Sequence, residues 1–221
     1  MYDAYSLRAS LYEESQNYKA AIADYKTMHE LYPSNNELLI YIADSNQQLS
    51  DYTNAVKTYD EAEKALPQSY LPAITYARGA CYYSLEDYND ALKDLTVYLK
   101  SDPTDTEANF LIGSCYMNLD QENSAAPYLT ISAKSRDHIS ESSYYLGIIN
   151  LDNEKYDNAV SFFSIAIDGK YMTDYALYNR AICYLALGKN DLAKNDLQKS
   201  DSMTQDTGLK KSINEILVQL T

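Results

Sequence analysis

The chain has 221 residues and a formal net charge of −14, from 18 basic and 32 acidic side chains, with 46% hydrophobic residues. That balance argues for a folded protein and against disorder. The lack of any Lys/Arg cluster argues against phosphate-backbone binding and against anionic membrane surfaces, and no stretch approaches the roughly 20 apolar residues that cross a bilayer.

Met1-Tyr2-Asp3-Ala4-Tyr5 has neither the basic start nor the apolar run of a signal peptide and enters a helical pattern almost at once. Its abruptness suggests either a short natural start or a leader or domain lost upstream. Apolar residues at i, i+3, i+4 and i+7 then predict pairs of amphipathic helices. The pairs fall in units of about 2–35, 36–69, 72–105, 106–139, 140–173 and 174–207, within one domain, 1–221. In the second unit the first helix should bury Leu39, Ile42, Ala43 and Asn46, and the second Tyr52, Ala55, Val56, Tyr59 and Ala62. Ser34-x-x-Glu37 and Thr104-x-x-Glu107 read as capping boxes at the starts of the second and fourth units. Pro33, Pro67 and Pro103 stop the helices before them. Two extra residues sit around Tyr70-Leu71, ahead of Pro72, which suits a first helical turn. Pro127 should bend or break the second helix of the fourth unit. A last helix, 208–221, has Leu209, Ile213, Ile216, Leu217 and Leu220 on one face and closes the array.

The units share a spacing. Ala9, Ala43, Gly79, Gly113, Gly147 and Ala181 follow at intervals of 34, 36, 34, 34 and 34, and Ala21, Ala55, Ala91, Ala125, Ala159 and Ala193 keep the same intervals. Between them run Tyr12, Asn46, Tyr82, Tyr116, Asn150 and Tyr184. Four residues after each second alanine comes Tyr25, Tyr59, Leu95, Leu129, Phe163 or Leu197. Where two helices cross closely, one must offer Ala or Gly to give the other's large side chain room. This pattern resembles the tetratricopeptide repeat: a small residue, a large one, Ala, a large apolar residue and a closing Pro. The resemblance covers about residues 2–207. It implies an all-α fold, a right-handed α-superhelix (α-solenoid) of stacked antiparallel helix pairs, acting as a protein-binding scaffold.

No phosphate-cradling, zinc-protease or nucleophile-elbow motif is present. His29 and His138 fall near the ends of second helices, where histidine caps carbonyls or faces water. Cys81, Cys115 and Cys183 occupy one repeated position that takes Ile149 in the fifth unit, and read as small buried hydrophobes. Equivalent positions in neighbouring units lie about 8–10 Å apart, too far for a disulfide. The unpaired thiols lean toward a reducing, cytoplasmic setting, unless an upstream leader directs export. No catalytic residue, metal or cofactor is expected.

The family holds peptides or partner helices along the first helices of its units, and its pattern implies which residues would face them here. In the first two units these are polar and acidic, with Glu13, Glu37 and Asp44 among them. In the next four they include Tyr76 and Tyr83; Phe110 and Met117; Tyr144, Ile148 and Leu151; and Tyr178 and Ile182. The rings are either recognition anchors or packing between units. The expected partner is a peptide or protein segment, apolar at the rings and basic or polar near the carboxylates; the alternative is a spacer or self-association module of a longer protein. The basic and amide clamp with which one subset grips acidic chaperone tails is missing, since Ser6, Ser10, Tyr41, Ala73 and Ala77 stand at its positions.

Overall fold

The computed structural model describes residues 1–220. Its residues divide into two units, 1–103 and 104 onward. The first contains α1 (Tyr2–Glu14), α2 (Tyr18–Leu31), α3 (Leu38–Gln48), α4 (Tyr52–Ala65), α5 (Leu71–Ser84) and α6 (Tyr88–Tyr98). The second contains α7 (Thr106–Asn118), α8 (Glu122–Ser132), α9 (Ile139–Asp152), α10 (Tyr156–Asp168), α11 (Thr173–Ala186), α12 (Asn190–Met203) and α13 (Thr207–Gln219). No strand occurs among the described residues.

Each helix pair turns through three residues, and the middle one is left-handed every time: Gln16, Ser50, Glu86, Asp120, Glu154 and Gly188, with φ from 54° to 70°. The amide after it bonds back to the carbonyl of Tyr12, Asn46, Tyr82, Tyr116, Asn150 or Tyr184 at 2.7–2.9 Å. This is the six-to-one bond of a Schellman turn, and it satisfies a carbonyl that the helix end leaves open. Five of the six left-handed residues are not glycine, at a cost of about 1–2 kcal/mol each. The packing of the pair outweighs that cost.

The packing is the small-against-large contact expected from the spacing. All six alanines of the second series are fully buried, as are Ala9, Ala43 and Ala181 of the first. A methyl on Gly113 would lie 2.6 Å from Leu129 Cδ2, and one on Gly147 would lie 2.6 Å from the Phe163 ring. Those distances are too short for any carbon pair, which is why these positions stay bare. In the second pair Leu39, Ile42, Ala43, Asn46, Ala55, Tyr59 and Ala62 are buried as expected, while Tyr52 and Val56 remain half-buried at the edge of that core. At the far end, Leu209 and Ile213 of α13 are buried against Ala181, Ala193 and Leu197. The Asp206 side chain caps α13 by accepting from the Gly208 and Leu209 amides.

Four local expectations are corrected. The Ser34 box does not form: α3 starts at Leu38, because Asn35 and Asn36 are turned toward the Tyr2 hydroxyl and the Ala65 carbonyl. At α7 the cap is Asp105, one residue beyond Thr104, and it accepts from the Ala108 amide at 2.8 Å. A carboxylate is the better acceptor against the positive end of a helix. Helix α8 runs unbroken through Pro127. Pro127 and Asn123, whose carbonyl loses its helical partner, are both exposed, so water can supply the missing bond. His138 lies beyond the second helix altogether, at the cap position of α9. The two extra residues near Tyr70 form part of a 3-10 turn over Gln68–Tyr70, and Pro72 sits in the first turn of α5.

Candidate functional site

In the first unit, two expected carboxylates come together on consecutive first helices. Tyr59, fully buried on α4, donates its hydroxyl to Asp44 on α3. Ser45, also on α3, donates to Glu13 on α1 at 3.2 Å. Burial pushes the Asp44 carboxyl above its ordinary range, the Tyr59 hydrogen bond opposes that rise, and the charge of Glu13 adds to it. Neither carboxylate enters an ion pair among the described residues. Beside them Tyr25 stacks on Tyr41, with centroids 5.3 Å apart. The Tyr25 hydroxyl is raised by burial and by its hydrogen bond to Glu13. Glu37 is engaged elsewhere and accepts the Tyr70 hydroxyl. Tyr76 leans on Tyr98 at 4.9 Å, and Tyr83 meets Tyr88 edge-on at 5.9 Å.

In the second unit the expected aromatic residues are half-buried and packed. Phe110 stacks on His138 at 4.8 Å, and His138 Nε2 lies 2.8 Å from Glu107 Oε2. Tyr144 meets Phe163, Tyr145 and Tyr171 edge-on, and burial pushes its hydroxyl up to about 12. Ile148 and Leu151 pack against the core of Ala159 and Phe163. Met117 packs against the core around Leu129, and Tyr178 against that around Leu197. Ile182 is half-buried as well. Each of these side chains keeps only part of its surface open.

A set of ion pairs escaped the sequence reading. Arg8 pairs with Asp24, Arg78 with Asp94 and Arg180 with Asp196, each through two hydrogen bonds of 2.6–3.0 Å. Every pair is separated by 16 residues, as are the small and large residues beside it (Ala9 and Tyr25, for instance). An Arg just before the small residue and an Asp just before the large one was the available signal. Arg78 also reaches back to Asp60 and Glu63 on α4, and Arg180 to Ser164 on α10, so the guanidinium ties each pair to the one before. The role is structural.

The three cysteines are free and buried. Burial pushes the Cys81 and Cys115 thiols up to about 12 and Cys183 to about 11, so none supplies a thiolate at neutral pH. No metal-holding cluster occurs among the described residues. No helix among the described residues is long and apolar enough to cross a membrane.

A tetratricopeptide-repeat family model matches residues 4–70, and a second model of the same repeat matches residues 175–200. Solved tetratricopeptide structures share the fold. The chain is a tetratricopeptide-repeat protein. YrrB, described as a TPR protein with an unusual peptide-binding site, is 19% identical over 86% of this chain and 97% of its own, with a TM-score of 0.74. A tetratricopeptide-repeat protein from Parabacteroides merdae is 18% identical over 99% and 88%, with a TM-score of 0.70. PilF of Pseudomonas aeruginosa is 14% identical over 97% and 96%, with a TM-score of 0.73. At these identities the likeness is one of fold. No curated protein matches the sequence. For a tetratricopeptide-repeat protein, scaffolding of other proteins is the expected role.

Proposed function

We propose that this tetratricopeptide-repeat protein is a non-catalytic scaffold that holds an extended segment of a partner protein along its first helices, with a basic side chain of that segment between Glu13 and Asp44. The observation behind this reading is that pair of carboxylates. They stand on neighbouring helices, in no ion pair among the described residues, with one of them partly desolvated. An incoming Lys or Arg would supply the missing charge and gain tyrosine faces beside it. Within each unit, aromatic and aliphatic side chains of a bound segment would meet the open edges of that unit's rings, Tyr76 and Tyr83 in the first and Phe110, Tyr144 and Tyr178 in the second. That YrrB is described as having a peptide-binding site fits the same use. Three free, buried thiols support a reducing compartment as its setting.

Fluorescence-anisotropy titrations against a library of labelled peptides, half of them with a central Lys or Arg, test the reading. Basic peptides should bind best, and Asp44→Asn or Glu13→Gln should weaken them roughly tenfold, the scale of one charge-assisted hydrogen bond. Tyr144→Ala and Tyr178→Ala should weaken peptides with apolar side chains. Binding that ignores all four substitutions would sink the assignment.

Self-association is a second reading, favoured by one surface. Leu11 on α1 is 54% exposed, yet its equivalents Ser45, Cys81, Ile149 and Cys183 are buried. Leu7 beside it is exposed too. Light scattering on the purified chain and on Leu11→Glu decides it: a dimer that the substitution dissolves supports association, and a monomer in both removes it.

A further inference from the structure

Between the second helices α2 and α4 of the first unit, over α3, lies a cavity of about 340 Å³. It opens on the opposite side of the helix pair from Glu13 and Asp44, so the proposed peptide surface does not account for it. The slot one repeat later, between α4 and α6, explains its origin. There Arg78 hydrogen-bonds Asp60 and Glu63 on α4 and Asp94 on α6. Tyr82 reaches into the same space, where burial and the charges of Asp60, Asp94 and Asp90 raise its hydroxyl. Shifted back by one repeat, Arg78 becomes Ile42 and Tyr82 becomes Asn46. The two side chains that fill the later slot are thus missing from the earlier one.

The walls change with the filling. Asp60 and Glu63 become Lys26 and His29, while Asp90 and Asp94 become Asn54 and Thr58. A slot lined by carboxylates around a guanidinium becomes one lined by both signs of charge around open space. Lys26 and Lys57 line it together with Glu30 and Glu61. None of these four enters an ion pair among the described residues. The floor is apolar, from Leu39 and Ile42. Asn46 also lines the cavity, is 8% exposed, and has no hydrogen-bonded side-chain atom among the described residues. Its amide atoms stay within reach of solvent, so a polar ligand can take the place of water on them. The volume lies within the range of small-molecule sites.

We propose that this cavity binds a small zwitterion of the amino-acid class. Its carboxylate is held by Lys26 and Lys57, and its ammonium by Glu30 and Glu61. One of the two charged groups hydrogen-bonds the Asn46 amide, and an apolar side chain rests on Leu39 and Ile42. Two charges of each sign, left unpaired around one space, are what distinguish this ligand from a simple anion or cation.

Calorimetric titration of the full chain with L-leucine, 4-methylpentanoate and isoamylamine tests the proposal. L-Leucine should bind at millimolar concentration or better, and the two singly charged analogues at least tenfold more weakly. Asn46→Tyr, which restores the ring that fills the next slot, should abolish the heat of binding. Lys57→Ala with Glu61→Ala, on the exposed side of α4, should weaken it at least tenfold without touching the core. No heat with L-leucine, equal binding of either analogue, or undiminished binding by a folded Asn46→Tyr or by the double variant would each overturn it.

Discussion

The two units solve the same turn with different chemistry. In the first, every second helix begins on a side chain that caps it: Asn17, Asp51 and Asp87 accept from the amides of Ala20, Asn54 and Asp90. In the second, Gln121, Lys155 and Lys189 stand at the same places and supply no cap. The lysines also put positive charge against the positive end of a helix. Yet all six turns have the same left-handed middle residue and the same six-to-one hydrogen bond. Turn geometry is therefore set by the fit of the two helices against each other, and the cap only adjusts stability. The interaction surfaces differ in the same way. The first unit presents carboxylates in no ion pair among the described residues, whereas the second presents rings already packed against their neighbours.

The largest effect expected is at Arg78, the most heavily bonded side chain of the first unit. Arg78→Met leaves Asp94, itself buried, without its counter-charge and should cost about 3–5 kcal/mol in urea denaturation. Arg8→Met, at a site where the arginine is 54% exposed, should cost far less despite the same 16-residue partner. Equal losses would mean that the pairs matter through something other than burial. Next comes a close helix crossing in the second unit. Gly147→Ala forces a methyl into the Phe163 ring and should cost about 1–3 kcal/mol. An unchanged melting temperature would mean that α9 and α10 can spread apart. Smaller still are the caps: Asp87→Ala should lose about 1 kcal/mol and Lys155→Asp should gain a similar amount. If both were neutral in thermal melts, the difference between the units would be without energetic consequence.

How much of this was legible beforehand follows from what repeats and what does not. The spacing of Ala and Gly placed every helix crossing, because a close approach admits no other residue there. The turns were harder to see, since a left-handed Gln, Ser, Glu or Asp has no signature like that of glycine. The arginine–aspartate pairs were legible in principle but occur in only three of six repeats, so they drop out of any common pattern. The cavity beside Asn46 was out of reach for a related reason. It results from Ile42 and Asn46 standing together where a neighbouring repeat has Arg and Tyr. The partial burial of the aromatic residues depends on rotamers and on neighbours such as Tyr98 and His138, which spacing does not specify.

The finest distinction concerns Asp44 and follows from its raised carboxyl. A group that holds its proton more tightly folded than unfolded stabilises the fold in its neutral form. Stability from this residue is therefore present below the ordinary carboxylate range and falls as pH rises through the higher folded value. Asp44→Asn keeps an acceptor for the Tyr59 hydroxyl and removes the charge, so it should stabilise the chain at neutral pH and match the parent in acid. Binding should run the other way: a basic peptide gains affinity as Asp44 ionises, and the variant loses that gain. The combination separates a carboxylate kept for a partner from one that merely helps the fold. A variant less stable at neutral pH, with peptide affinity unchanged, would make Asp44 a structural acceptor for Tyr59 and leave the first unit without its proposed contact.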